Sequence, residues 1–323
     1  MKRTVLLPSA CLLDALAGDP EWFPHPVRLI GLGISNGESL LRRQDRSARV
    51  NLLAGAVLAI WITGGTYLLA DFAVKQSKRR SFHLGDAVEL LLAWTCLATR
   101  NLRDEASAVL DALQAEDLPR ARLRLARIVG RETAHLDAAE ISRAVIETVA
   151  ESASDGVIAP IFYLALGGVP LAMAYKAVNT LDSMIGHADS MYFYFGRCAA
   201  RLDDLANFIP ARLTALAIVA SAWLTGCGDA RSSLRTWMRD GGKHKSPNAG
   251  RPESAMSGAL CVRLGGCNVY AGEVLCAPEM GAGFPTPQAA HGRKSVGILI
   301  AATALGLAAS VLMNLGKDAR KRR

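Results

Sequence analysis

The chain has 323 residues, of which 51% are hydrophobic and 20% charged, against roughly 25% charged in soluble proteins; its mean hydropathy is +0.21. This apolar content excludes an intrinsically disordered chain, and 29 glycines without a three-residue period exclude a collagen-like one. Lys and Arg number 37 against 29 Asp and Glu, a formal charge of +8, yet the basic blocks (Lys75, Lys78, Arg79, Arg80; then Lys317, Arg320, Lys321, Arg322, Arg323) flank apolar stretches, which favours anchoring on an anionic membrane surface over nucleic-acid binding.

In chain order, residues 4–17 form the first apolar run, with Pro8 and Asp14 inside it. Lys2 and Arg3 precede it as in a signal peptide, but Asp14 and Gly18-Asp19-Pro20 do not resemble a cleavage site, so the segment is expected to be retained. Residues 52–70 carry no charge, and residues 90–99 are a weaker run, suited to a short span or a buried helix. Residues 156–175 and 296–315 are uncharged and reach the ~20 residues that cross hydrocarbon as a helix. Residues 213–228 reach that length when the chain from Leu205 joins them, with Pro210 and Arg212 near one interface. Several such runs in one chain weigh against soluble core helices, and in lipid only the helix satisfies every backbone group internally. The expected fold is therefore all-α, polytopic and membrane-embedded, with four to five spans in one domain over residues 1–323. Topology stays open. Arg42, Arg43, Arg46 and Arg49 face the Lys75–Arg80 block across one span, and Arg293 and Lys294 face the basic tail across another.

Between the spans, residues 100–155 read as a polar helical region. Asp117 before Pro119 marks one helix start, and Asp137 with Glu140 three residues on marks another. From there Glu140, Arg143, Glu147 and Glu151 share one face, while Ile141, Val145 and Val149 point elsewhere; periodicity alone makes this a solvated charged face. Glu151 and Asp155 border an apolar run that ends at Lys176, followed by Asn179-Thr180-Leu181-Asp182-Ser183. A further polar set is Arg201, Asp203, Asp204, Asn207 and Arg212. Ionisable groups at membrane borders are costly unless paired, and so many at adjoining borders point to a shared polar site. Residues 229–295 read as a long basic loop centred on residues 244–253, where Lys245, Ser246, backbone amides and Arg251 suit an anion. The seven cysteines lack a Cys-x-x-Cys pair, so they read as small thiols in a reducing compartment, not as a zinc site or disulfide framework. There is no P-loop, dinucleotide fingerprint, zinc-protease motif or nucleophile elbow.

Several blocks resemble one family. Leu13-Asp14-Ala15-Leu16-Ala17-Gly18-Asp19-Pro20 with Pro24-His25-Pro26-Val27-Arg28 is similar to the start of CobD/CbiB proteins of cobalamin biosynthesis. So are Ile128-Val129-Gly130-Arg131-Glu132-Thr133, the stretch from Ala174 through Lys176 and Asp182 to Met184, Ala200-Arg201-Leu202-Asp203-Asp204-Leu205-Ala206-Asn207, the 244–253 loop and Val262-Arg263-Leu264-Gly265-Gly266. Ser152 stands where the family usually has Asn, and the stretch after Tyr270 departs from the pattern.

The resemblance implies an adenosylcobinamide-phosphate synthase in the cytoplasmic (inner) membrane, a ligase joining aminopropanol or its O-phosphate to a propionate of adenosylcobyric acid. It also implies ATP and Mg2+, with a corrinoid as substrate. Glu147, Glu151, Asp155 and Asp182 are expected as the acidic side, for general-base work or, at Asp155 and Asp182, for magnesium. Lys176 is the expected catalytic cation, and Lys245, Arg251 and Arg263 are expected to bind phosphate and corrinoid carboxylates. Asn179, Asn207, Asn248, Ser246, Arg201, Asp204 and Glu253 would add binding contacts, with Asp14, Asp19, His25 and Arg28 from the amino-terminal part. The partners expected are these substrates, membrane lipid, other corrinoid-assembly enzymes or a second copy, and no nucleic acid. A transporter, which typically carries internal repeats not found here, and a non-catalytic membrane sensor without the 244–253 loop are the alternative readings.

Overall fold

A computed structural model describes residues 1–20, 22–43, 47–187, 191–270 and 272–321; Arg46, Arg322 and Arg323 of the basic blocks lie outside the described residues. The elements are α1 (Arg3–Ala17), α2 (Pro26–Leu41), α3 (Ala48–Arg80), α4 (Phe82–Trp94), α5 (Thr99–Gln114), α6 (Leu118–Leu125) and α7 (Ala138–Ala153). A π-helical turn (Ser154–Ile158) joins α7 to α8 (Ala159–Gly167). Then come α9 (Val169–Ile185), α10 (Arg197–Ala206), α11 (Phe208–Thr225), α12 (Ala230–Asp240), α13 (Gly250–Leu260), the strands β1 (Leu264–Tyr270) and β2 (Glu273–Met280), and α14 (Ala289–Lys321).

The fold is that of a polytopic helical membrane protein. Among the described residues, four helical stretches are long and apolar enough to cross a bilayer: Ala48–Arg80, Ala138–Gly167, Phe208–Thr225 and Ala289–Arg320. Along α3 the large side chains Leu53, Ile60, Trp61, Leu68 and Phe72 are exposed, as expected where the solvent is lipid. The structure corrects the run 156–175, which is not one span. The chain turns at Gly168, whose φ of +77° favours glycine, and the apolar stretch divides between α8 and α9. Residues 90–99 supply only the end of the 13-residue α4 and the turn after it.

Two compact units divide the chain. The first takes residues 1–97, 159–207 and 309–323; the second takes residues 98–158 and 208–308. In the first, α3 packs on α2, α4, α9 and α10, and α1 packs on α4 and α8, around the fully buried Leu6, Leu7, Ile34, Leu181, Ile185 and Phe195. In the second, α7 packs on α5, α6 and α13, while α11, α12 and α13 pack on one another.

The second unit brings two further corrections. Residues 229–295 are not a long loop: they form α12, α13, an antiparallel hairpin and the start of α14. Asp229 starts α12 by accepting the Ser232 N–H at 2.9 Å. Buried Gly, Ser and Ala residues of α13 let it lie close against its neighbours. Cys267 and Cys276 face each other in the hairpin register and form a disulfide, against the expectation of free thiols; Cys11, Cys96, Cys198, Cys227 and Cys261 remain free.

Candidate functional site

Two polar clusters hold the expected site residues, one in each unit. In the second unit, α7 begins with a full capping box: Asp137 accepts the Glu140 N–H and Glu140 accepts the Asp137 N–H. That fixed start aims Glu147 inward. Its side chain is 8% exposed, so the solvated face read from periodicity is corrected at this position. Arg131 donates to Glu147 Oε2 at 2.7 Å, and the Gly265 N–H donates to Oε1 at 2.8 Å. Both carboxylate oxygens are therefore engaged. Arg131 also donates to Asn268 Oδ1 at 2.9 Å, which accepts from Arg143 at 2.9 Å as well, and Arg143 bonds the Gly265 carbonyl. The hairpin root is thus latched onto α7.

Glu253, in the first turn of α13, is buried near the same place. Its burial, with Glu151 and Glu147 as like-charged neighbours, pushes its carboxyl well above the usual range. It lies beside Glu151, whose side chain is exposed. The next turn of the helix is the π-turn carrying Asp155, a distortion frequent at functional sites; the buried Ser154 hydroxyl has no hydrogen-bond partner among the described residues. The 244–253 segment folds back on itself. His244 Nδ1 accepts the Ser246 N–H at 3.0 Å, Ser246 Oγ accepts the Asn248 N–H at 3.2 Å, and Arg212 reaches Asn248 Oδ1 at 3.5 Å. Burial holds His244 below the usual histidine range. Lys245 is exposed here, and Arg251 and Arg212 act on each other as like charges, an arrangement that an anion would relieve. Arg263 is exposed beside Glu279 at 3.6 Å and lines a polar cavity of about 270 Å³ with Arg143, Glu140 and Asp137.

In the first unit, His25 caps α2. Its Nδ1 accepts the Val27 N–H at 3.2 Å and Pro26 follows at the first helical position, where a missing N–H costs nothing. Asp19 lies 3.8 Å from His25 Nε2, and Lys176 and Arg28 act on the ring electrostatically, while burial lowers its pKa. On α10 and its cap, Asn207 donates to both oxygens of Asp203 at 3.0 Å and accepts from the Tyr175 hydroxyl at 2.9 Å. Burial raises the Asp203 pKa, opposed by hydrogen bonds from Asn207 and Asn179 and by the Lys176 charge. Arg201 pairs with Asp204 at 3.4 Å. Asp14 is buried, at 2% exposure, and acts on Cys11. Asp182 is half-buried, roughly 120° around α9 from Lys176 at six residues' distance.

The structure therefore joins Lys176, Asn179, Asn207 and His25 through shared neighbours in one unit, and Glu147, Glu151 and Glu253 in the other. Asp155 and Asp182, the expected magnesium pair, belong to different units. Sequence reasoning assigned no role to four residues of these clusters: Asp203, which it placed only in the polar set, Arg143, which it placed only on the charged face, Arg131 and Asn268. Arg131 and Asp203 stood within quoted motifs, so position in those blocks was a usable signal. Asn268 gave none, because only the hairpin register brings it under both arginines.

The family described as CobD/Cbib protein matches residues 7–299. A cobalamin biosynthesis protein CobD of Geobacter metallireducens is 50% identical over 273 residues, covering 84% of this chain and 85% of that protein. One of Pelobacter propionicus is 48% identical over 267 residues, covering 83% and 81%. The cobalamin biosynthesis protein CbiB of Salmonella typhimurium is 43% identical over 272 residues, covering 84% and 85%. No solved structure matches. With the helical membrane fold and the latched acidic helix in place, a match of this extent makes the chain a member of the CobD/CbiB family, whose work is cobalamin biosynthesis.

Proposed function

We propose that the protein is the amide-forming ligase of its family, joining aminopropanol or its O-phosphate to a propionate carboxylate of adenosylcobyric acid. The supporting observation is the sorting of the acidic groups on α7 and α13: Glu147 locked by two donors, Glu253 buried with its pKa raised, and Glu151 at the surface. A carboxylate and an ammonium ion do not condense in water. Bound ATP supplies the phosphoryl group that gives the acid a leaving group, releasing ADP and then phosphate. The amine must lose a proton to attack, and Glu151, exposed beside the buried Glu253, is the general base. Glu147 has no free oxygen and holds the hairpin root in place, so it is a positioning residue. Lys245, Ser246 and Arg251, with Arg212, suit phosphate oxygens.

Among the described residues no three His, Cys, Asp or Glu side chains form a metal-binding group. A magnesium ion carried on nucleotide phosphates needs only one or two carboxylates and keeps several waters, and Asp155 suits that role. In the first unit, Lys176 with Asn179 suits a corrinoid carboxylate or amide edge.

The test is direct. Detergent-purified protein given adenosylcobyric acid, aminopropanol phosphate, ATP and magnesium should yield the amide and ADP in equal amounts, followed by mass spectrometry. Glu151→Gln should lower kcat with little change in the KM for ATP. Absence of amide and of ADP with all substrates present would refute the reading.

A further inference from the structure

The first unit carries an apolar groove, of about 410 Å³, between α2, α3, α4 and α9. Its side chains are apolar apart from Thr66, and Leu29, Trp61 and Leu69 on its rim are 66%, 76% and 70% exposed. The groove follows α3, itself a bilayer-spanning helix, from Trp61 to Ala73. At 1.5 Å per residue that is roughly 18 Å, close to one leaflet of a hydrocarbon core of about 30 Å.

Two details define an occupant. Gly65 lies in the groove wall, and a Cβ built there meets nothing within 4 Å. Glycine in a helix interior costs about 1 kcal/mol relative to alanine, so this position gives up helix stability where no neighbour demands it and leaves the groove deeper. The second detail is charge. The groove face of α3, Ile62, Thr66, Leu69 and Ala73, continues at alternating steps of four and three to Gln76 and Arg80. Helical side chains lean toward the helix N-terminus, so Arg80 inclines back toward the mouth of the groove. Of the cations at this helix end, Lys75 pairs with Asp71 at 2.7 Å and Lys78 with Glu89 at 2.8 Å. Arg79 and Arg80 are exposed and form no ion pair among the described residues.

We propose that this groove is a binding site for an anionic phospholipid of the leaflet at the Arg80 end of α3. One acyl chain lies along Trp61–Ala73, with the phosphate held by Arg80. The guanidinium fork suits a phosphate better than a choline-bearing headgroup, whose own positive charge offsets the attraction. This inference is independent of the reaction assigned above.

The experiment uses full-length protein in mild detergent, incubated with equimolar phosphatidylglycerol and phosphatidylcholine and examined by native mass spectrometry and thermal denaturation. Wild-type protein should retain phosphatidylglycerol severalfold over phosphatidylcholine and gain more Tm from it. Gly65→Leu, which fills the groove, should lose retention of both lipids. Arg80→Gln, a surface change that leaves packing intact, should keep retention and lose the preference. Gly65→Ala, small enough to leave the groove open, should behave as wild type and shows that the helix tolerates the position. Equal retention of the two lipids by wild-type protein would overturn the proposal. So would an undiminished preference in Arg80→Gln.

Discussion

At the scale of single residues, neighbouring carboxylates of α7 and α13 differ because their partners differ. Glu147 is paired: it accepts from Arg131 and from the Gly265 N–H. Glu253 is buried with Glu151 and Glu147 as acidic neighbours, which raises its pKa. The two should answer differently to the same isosteric change. Glu147→Gln leaves the Arg131 guanidinium, 10% exposed, without its counter-charge, and removing one partner of such a pair costs about 3–5 kcal/mol. Glu253→Gln replaces a carboxyl whose ionisation burial opposes by an uncharged amide of the same shape, and should change stability by less than about 1 kcal/mol. Thermal denaturation of both variants in detergent checks this; equal losses would show that Glu253 is ionised in the folded protein.

At the scale of elements, legibility followed how local the signal was. The Asp137–Glu140 capping box is written in four consecutive residues, and α7 starts where they place it. Asp137→Ala should therefore destabilise by about 1 kcal/mol, read as an earlier loss of helical circular dichroism on heating. The apolar spans were legible for the same reason, since composition alone decides them. The breaks were not. Hydropathy cannot distinguish a run that crosses from one that turns at Gly168, and polar composition hid α12 and α13, whose stability comes from tertiary contacts. Asp240 shows the point. It is fully buried and pairs with Arg239 at 2.7 Å, Lys243 at 2.6 Å and the Gly281 N–H at 2.8 Å. Only one of those partners lies far away in sequence, and that contact ties α12 to the end of the hairpin. The Cys267–Cys276 pair was unreadable for a related reason, because a pairing register, not a spacing motif, brings the two sulfurs together.

At the scale of the whole molecule, titratable groups in each unit contribute to the pH dependence of stability. His25 and His244 each use Nδ1 as an acceptor for a backbone N–H, and burial lowers both pKa values. A proton on either ring would break the turn or cap that the ring closes. Because the folded protein holds fewer protons at these sites than the unfolded chain, their stabilisation is complete above the ordinary histidine pKa of about 6.5. It declines as pH falls from there toward the lowered folded values, by up to about 1.4 kcal/mol per pH unit for each ring. Glu253 and Asp203 act in the opposite sense. Their folded pKa values are raised, so the stability they contribute is fully present below the ordinary carboxylate pKa and is lost as pH rises through the folded values. On acidification the histidines lose stability while these acids gain it, so the net slope of Tm is a difference. Removing one side exposes the other. Glu253→Gln should steepen the fall of Tm on acidification, whereas His25→Asn with His244→Asn, which keeps a short acceptor at each turn, should flatten or reverse it. Tm measured at half-unit steps from pH 8 to pH 5 separates the contributions, and identical slopes in all three proteins would mean that neither pair titrates in this range.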